Sequence, residues 1–321
     1  MLERAENQGM IMSLQKTIHI PVCYVSDENY AKPLTVSMFS VLANTSHHID
    51  FYILENQIRS STKKKMRKSL GVFNNFTLTF IPVDAGGVVK KFPVHGHFTV
   101  SNYLRYFLPE LCPNLGKCIY LDVDTIIKYD IYDLFSTDLD GYSVGAVGEE
   151  TVAKKPYIQE RYKALNLSSE HIYFCSGIML LDLDKWRVQD MTNRLIKLTQ
   201  EKSDLLFYAD QDVFNIMFDK NNYKPLELDW GREIWQLSID VETDKYLVYS
   251  CKLIHYDGMD KPWNKSCWFD SYFWHYAKET LFYKKPSRWR MFWSYLRYRI
   301  FGEKYKQEYQ RNQTVLDAYR K

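Results

Sequence analysis

Asp122 and Asp124 stand two residues apart at the end of an apolar run, Cys118 to Leu121, that has strand-forming composition. Side chains alternate along a strand, so both carboxylates are expected on one side with Val123 on the other. Two hard oxygen donors at a sheet edge suit Mg²⁺ or Mn²⁺. Such ions are held by one or two protein carboxylates while phosphates complete the shell, so a diphosphate ligand is the natural inference. An Asp-x-Asp triplet alone is common and equally describes a solvated strand end.

The elements that must position these groups are legible from hydrophobic spacing. Strands are expected at Ile18–Val25, Phe51–Leu54, Leu78–Val83 and Cys118–Asp124, with helices at Pro33–Asn44, Ser61–Leu70 and Ser101–Leu111. Alternation of this kind predicts an α/β protein with a largely parallel sheet and helices on both faces. Ligands in such sheets bind beyond the carboxyl ends of the strands, where both the Asp27/Asn29 turn and the Asp122/Asp124 pair fall. The second half predicts strands at Tyr142–Val147, Ile172–Leu183 and Lys252–Tyr256, a helix over Lys185–Gln200 capped by Asp184, and a short helix after Asp210-Gln211-Asp212.

Composition narrows the class. The 321 residues are 46% hydrophobic, enough to bury a large core. Six cysteines without paired short spacing, and no long apolar run at the amino terminus, point to a reducing, cytoplasmic setting. The net charge of +3 is unevenly spread: residues 284–321 carry 11 Lys or Arg against 3 Asp or Glu, which leaves −5 on residues 1–283. A uniformly basic nucleic-acid binder would not divide this way, and nucleic acid is not an expected partner.

Taken in order, six motifs resemble glycosyltransferase family 8, in particular its bacterial lipopolysaccharide galactosyl- and glucosyltransferases. They are Ser26-Asp27-Glu28-Asn29-Tyr30, Asn102-Tyr103-Leu104-Arg105, Tyr120-Leu121-Asp122-Val123-Asp124, Phe174-Cys175-Ser176-Gly177, Asp210-Gln211-Asp212 and the run from His255 to Trp263, together covering about residues 18–265. The resemblance implies a GT-A (Rossmann-like) fold over residues 18–283, a Mn²⁺ ion with Mg²⁺ as the alternative, and a UDP-galactose or UDP-glucose donor. It further implies transfer, with retention of configuration, to a glycan or glycolipid acceptor.

By the same resemblance Asp122, Asp124 and His255 are the metal ligands, and Asp27 and Asn29 hold uracil and ribose. Gly258 and Lys261 meet the pyrophosphate, Arg105 and Asp210 reach the donor sugar, and Gln211 lies beneath the anomeric carbon. Val123 and Ser176 belong to the donor-binding set. An amide is a poor nucleophile, which favours a front-face mechanism over double displacement. One position departs from the pattern: Cys175 stands where relatives commonly have Asn, and a thiol cannot replace a carboxamide. That departure keeps a non-catalytic UDP-sugar-binding or scaffold protein as the alternative reading.

The basic tail predicts a helix from Pro286-Ser287 to Gly302, with Trp289, Phe292, Trp293, Leu296 and Ile300 on one stripe flanked by Arg288, Arg290, Arg297 and Arg299. Aromatic rings between arginines suit the surface of an anionic membrane, placing the enzyme peripherally on its inner face. Each basic residue near such a surface contributes about 1 kcal/mol before screening. Removal of residues 284–321 is therefore expected to spare UDP-sugar hydrolysis and to abolish co-sedimentation with anionic vesicles. Aggregation or unfolding of the truncated protein would instead make the tail part of the core.

Overall fold

The computed structural model describes residues 18–83, 87–94, 99–148, 156–233, 250–257, 261–264, 267 and 269–283. The tail at 284–321 and Gly258 lie outside the described residues.

The first third alternates strand and helix as its apolar spacing predicts: β1 (His19–Asp27), α1 (Ala31–Ala43), β2 (His48–Asn56), α2 (Ser60–Leu70) and β3 (Phe76–Pro82). Parallel pairing runs from His19 opposite His48 to Asp27 opposite Asn56, and β3 adds in parallel to β2. The helix predicted over Ser101–Leu111 is two pieces. Val100–Phe107 is a 3-10 helix started by a reciprocal Thr99/Asn102 capping box, and it passes into one α-helical turn, α3 (Leu108–Leu111). Pro109 at that junction has no N–H with which to continue the preceding ladder.

The remaining elements are β4 (Lys117–Leu121), β5 (Thr125–Ile127), α4 (Tyr132–Phe135), β6 (Val144–Gly148), α5 (Pro156–Leu165), β7 (Phe174–Asp182), α6 (Leu183–Val188), α7 (Met191–Glu201), α8 (Asp210–Met217), β8 (Lys224–Pro225), β9 (Arg232–Glu233), β10 (Leu253–His255) and α9 (Asp270–Ala277). The single helix expected over Lys185–Gln200 is broken at Asp190, whose φ of 50° is left-handed and cannot continue a right-handed helix. Its cap is Asp182, not Asp184: the Asp182 carboxylate accepts from the Lys185 amide at 2.9 Å.

Seven strands form the main sheet in the order β3-β2-β1-β4-β7-β6-β8. Strands β3, β2, β1, β4, β6 and β8 run in one direction and β7, antiparallel to both β4 and β6, runs against them, so the sheet is largely parallel as expected, with one reversed strand. Antiparallel neighbours need no crossover helix, and the second half accordingly contributes strands without strict βαβ alternation. A second sheet of three strands, β5-β10-β9, lies beyond the carboxyl end of β4.

Period-two alternation loads both faces of the main sheet. Ile20, Val22 and Tyr24 of β1, with Ile119 and Leu121 of β4, pack with α1 in one apolar cluster. Cys23 and Val25, with Cys118 and Tyr120, pack with Tyr103, Tyr106, Trp186 and Phe214 in another. Burial on two faces fixes the register, because a slip of one residue would exchange the two sets. The carboxyl ends of β1 and β4 are thereby held side by side.

Candidate active site

Strand β4 stops at Leu121, so Asp122 and Asp124 sit on a turn and not in the strand expected to extend through Asp124. What brings the two carboxylates together is therefore the turn, not strand alternation. The Asp122 amide donates to the Gly177 carbonyl at 2.7 Å, and the Thr125 hydroxyl donates to the Asp122 carbonyl at 2.8 Å. The chain then enters β5, whose Thr125 pairs with His255 of β10, while the Tyr256 amide donates to the Asp124 carbonyl at 2.9 Å.

The outcome is a cluster in which ligand atoms of Asp122, Asp124 and His255 all lie within 4.8 Å of one another. His255 Nε2 is 3.2 Å from Asp124 Oδ1 and 3.9 Å from Asp122 Oδ2. Asp124 Oδ1 is buried and receives no hydrogen bond of good geometry among the described residues, whereas Oδ2 is paired with the Lys261 ammonium. Burial alone would raise the Asp124 carboxyl, but Lys261 and His255 outweigh it and hold it well below the usual range. Two carboxylates, one of them with an unsatisfied buried oxygen, and one imidazole form a donor set that fits a hard divalent cation. Glycine is required beside it: a Cβ on Gly177 would lie 2.6 Å from His255 Cε1 and 2.8 Å from Asp122 Oδ2.

Arg105 binds the cluster to the rest of the site. It is 2% exposed and donates to the Asn102 carbonyl at 3.0 Å, the Ser176 carbonyl at 2.7 Å and Asp122 Oδ1 at 3.1 Å. Its Nε lies 3.0 Å from Asp210 Oδ2, and its guanidinium sits 4.2 Å from the Tyr120 ring centroid. Burial pushes the Asp210 carboxyl up to about 7, with Arg105 pulling it part of the way back. Beside it, Gln211 Oε1 accepts from the Ser176 amide at 3.1 Å.

Asp212 is turned inward to Phe207 N, Tyr208 N, Tyr173 Oη and Arg161. It fixes the loop ahead of α8, in which Ala209 holds a strained φ of 49°. Asp210 opens α8 without capping it; Ala209 occupies that position.

Other predicted residues fall as follows. Asp27 ends β1, and its carboxylate accepts from the amides of Asn29 at 2.8 Å and Tyr30 at 3.2 Å, the loop geometry that a free strand end adopts. Asn29 is exposed, and the Tyr30 ring meets Trp263 edge-on at 6.4 Å, so this loop faces the segment bearing Lys261. Val123 packs against the apolar core. Lys261 also donates to the Tyr256 carbonyl at 2.7 Å. Sequence reasoning passed over Tyr120, whose hydroxyl donates to Asp122 Oδ1 at 2.8 Å, and Glu233, which lies near His255. The signal for Tyr120 was its i, i+2 spacing from Asp122; Glu233 gave none.

The model of glycosyl transferase family 8 matches residues 21–267. The chain belongs to this family. General stress protein A of Bacillus subtilis is 28% identical over 288 residues, covering 84% of this chain and 96% of that protein. Lipopolysaccharide 1,2-glucosyltransferase of Escherichia coli K12 is 29% identical over 255 residues, covering 76% and 72%. Among solved structures, the galactosyltransferase LgtC in complex with donor and acceptor sugar analogs superposes with a TM-score of 0.73 at 24% identity, over 85% of this chain and 99% of that one. That likeness bears on the fold, which is the GT-A arrangement expected from the sequence.

Two outcomes follow from this geometry. Gly177→Ala should leave the far-ultraviolet circular dichroism spectrum unchanged and weaken divalent-cation affinity at least about tenfold, because the methyl displaces His255 or Asp122; unchanged affinity would separate Gly177 from the cluster. Asp210, with a folded pKa of about 7 against about 3.9 unfolded, binds a proton that the unfolded chain releases between these values. Its contribution to stability is therefore greatest at low pH and is lost as pH rises from about 4 to about 7. Urea unfolding should show wild type losing a few kcal/mol relative to Asp210→Asn across that window; parallel curves would contradict it.

Proposed function

We propose that the protein is a metal-dependent retaining hexosyltransferase, moving galactose or glucose from a UDP-sugar to a glycan or glycolipid acceptor in the synthesis of lipopolysaccharide or another surface polysaccharide. The observation that carries this reading is the convergence of Asp122, Asp124 and His255 beside Lys261 and Arg105, in a chain of glycosyl transferase family 8. Mn²⁺ is preferred to Mg²⁺ because one of the three donors is an imidazole.

When bound, the ion would offset the charge of the departing diphosphate, a contribution of several kcal/mol to the transition state. The chain's own groups do the rest. Asp27 and Asn29 receive the uracil and ribose at the end of β1, and Lys261, with Gly258 nearby in sequence, moves from Asp124 to the pyrophosphate. Asp210, held by Arg105, takes donor-sugar hydroxyls, while the Gln211 amide, oriented by the Ser176 N–H, lies under the anomeric carbon. Since neither amide nor buried carboxyl is a ready nucleophile, the leaving oxygen of UDP accepts the acceptor's proton on the same face.

No helix of the described residues is long and apolar enough to cross a membrane. Peripheral attachment to the inner face of the membrane through residues 284–321 is our reading of how the enzyme reaches a lipid-borne acceptor. Cys175, in the place of the expected Asn, favours one second reading, a UDP-sugar binder without turnover.

UDP release distinguishes the two. EDTA should abolish it, Mn²⁺ should restore it better than Ca²⁺, and Asp124→Asn should reduce it by at least about 100-fold while remaining folded. Undiminished turnover by metal-stripped enzyme would overturn the metal reading. Tight UDP-sugar binding without UDP release, with every ion tried, would establish the binder instead.

A further inference from the structure

The two ring nitrogens of His255 face different chemistry. Nε2 looks toward Asp122 and Asp124, while Nδ1 lies 3.5 Å from the Cys175 thiol. Cys175 reaches that position through an irregularity in β7: the β6–β7 register shifts between Ala146 and Val147, so that Val147 faces Cys175 where regular pairing would not bring it. On the other side, β9 pairs in parallel with β10 and sets Glu233 opposite His255. Donor atoms of Cys175, Glu233 and His255 all lie within 4.8 Å of one another, and both Cys175 and Glu233 are only partly buried.

A thiol, an imidazole and a carboxylate differ in kind from the neighbouring oxygen-rich set. Three such donors with a fourth position for water make a Zn²⁺ site, and thiolate selects zinc-like over hard ions. We propose that Cys175, Glu233 and His255 form a second, softer metal site that takes Zn²⁺ through His255 Nδ1 and competes with the carboxylate site for the same imidazole.

Loading exchanges the thiol proton for the metal: Cys175–SH and Zn²⁺ give Cys175–S–Zn⁺ and H⁺. A neutral imidazole has one lone pair, so an ion on Nδ1 leaves the ring proton on Nε2, where it blocks coordination beside Asp122 and Asp124. The two sites therefore exclude one another, and Zn²⁺ acts as an antagonist of the hard ion. The competition rests on the reading of His255 as a ligand of that ion; the soft site itself does not. With Asn at position 175, as the family commonly has, the soft donor would be missing.

Cobalt reports the soft site directly. Co²⁺ added to the full chain should give a thiolate-to-cobalt charge-transfer band in the near ultraviolet, which Zn²⁺ bleaches. The band should vanish in Cys175→Ser and in Cys175→Asn, weaken in Glu233→Gln, and persist in Asp124→Asn. Zn²⁺ affinity, measured by competition with a chromophoric chelator, should fall at least about tenfold in Cys175→Ser. In parallel, electron paramagnetic resonance should show Zn²⁺ releasing bound Mn²⁺ from wild type but not from Cys175→Ser.

A band that survives in both Cys175 variants overturns the soft site, since another of the cysteines then holds the metal. Retention of Mn²⁺ by wild-type protein at saturating Zn²⁺ overturns the competition. If Mn²⁺ never binds yet the cobalt band depends on Cys175, the soft site is supported and the reading of Asp122, Asp124 and His255 as a hard-ion site fails.

Discussion

A single buried guanidinium holds this site together. Arg105, presented by the 3-10 helix at Val100–Phe107, reaches Asp122 after β4, the Ser176 carbonyl in β7 and Asp210 at the start of α8. These three segments are distant in sequence. A charge in that setting is tolerable only because carbonyls and carboxylates surround it; breaking such an arrangement typically costs about 3–5 kcal/mol. The balance also works in reverse, since Asp210 is 2% exposed and is ion-paired with this guanidinium. Arginine suits the task better than lysine because its planar fork makes several fixed bonds at once.

Around that anchor the sheet provides the frame. Alternating side chains fill both faces, and parallel pairing of β1 with β4 brings the Asp27 loop next to the Asp122 turn. The small β5-β10-β9 sheet then delivers His255 from the other side. Close approach at the centre depends on the lack of a side chain at Gly177. Hard donors, a buried guanidinium and an ammonium are thereby gathered at one largely buried place, where electrostatic interactions are least screened.

Much of this was legible in the chain. The strand and helix alternation of the first third follows from apolar spacing, and the grouping of Asp122, Asp124 and His255 was implied by the resemblance of their motifs to glycosyltransferase family 8. The reason first given for the carboxylate pair was nevertheless wrong, because strand alternation does not apply beyond Leu121. Residue pattern cannot tell a strand from the turn that ends it when the polar residues come last. The break at Asp190 was hidden for a related reason: Met191–Glu201 and Leu183–Val188 are both helical, and one left-handed residue between them leaves no trace in periodicity. The antiparallel placement of β7 and the pairing of Glu233 with His255 are tertiary facts. The contact between Cys175 and His255 Nδ1 depends on a register shift that local sequence does not encode.

The reading proposed for Asp122, Asp124 and His255 is that they take one cation together with a nucleoside diphosphate. Anomalous diffraction at the manganese edge, from crystals grown with Mn²⁺ and UDP, tests it most directly. One strong peak is expected about 2.0–2.4 Å from an oxygen of each aspartate and from His255 Nε2, with diphosphate oxygens completing the shell. Well-ordered UDP with no anomalous peak among these three side chains would contradict it.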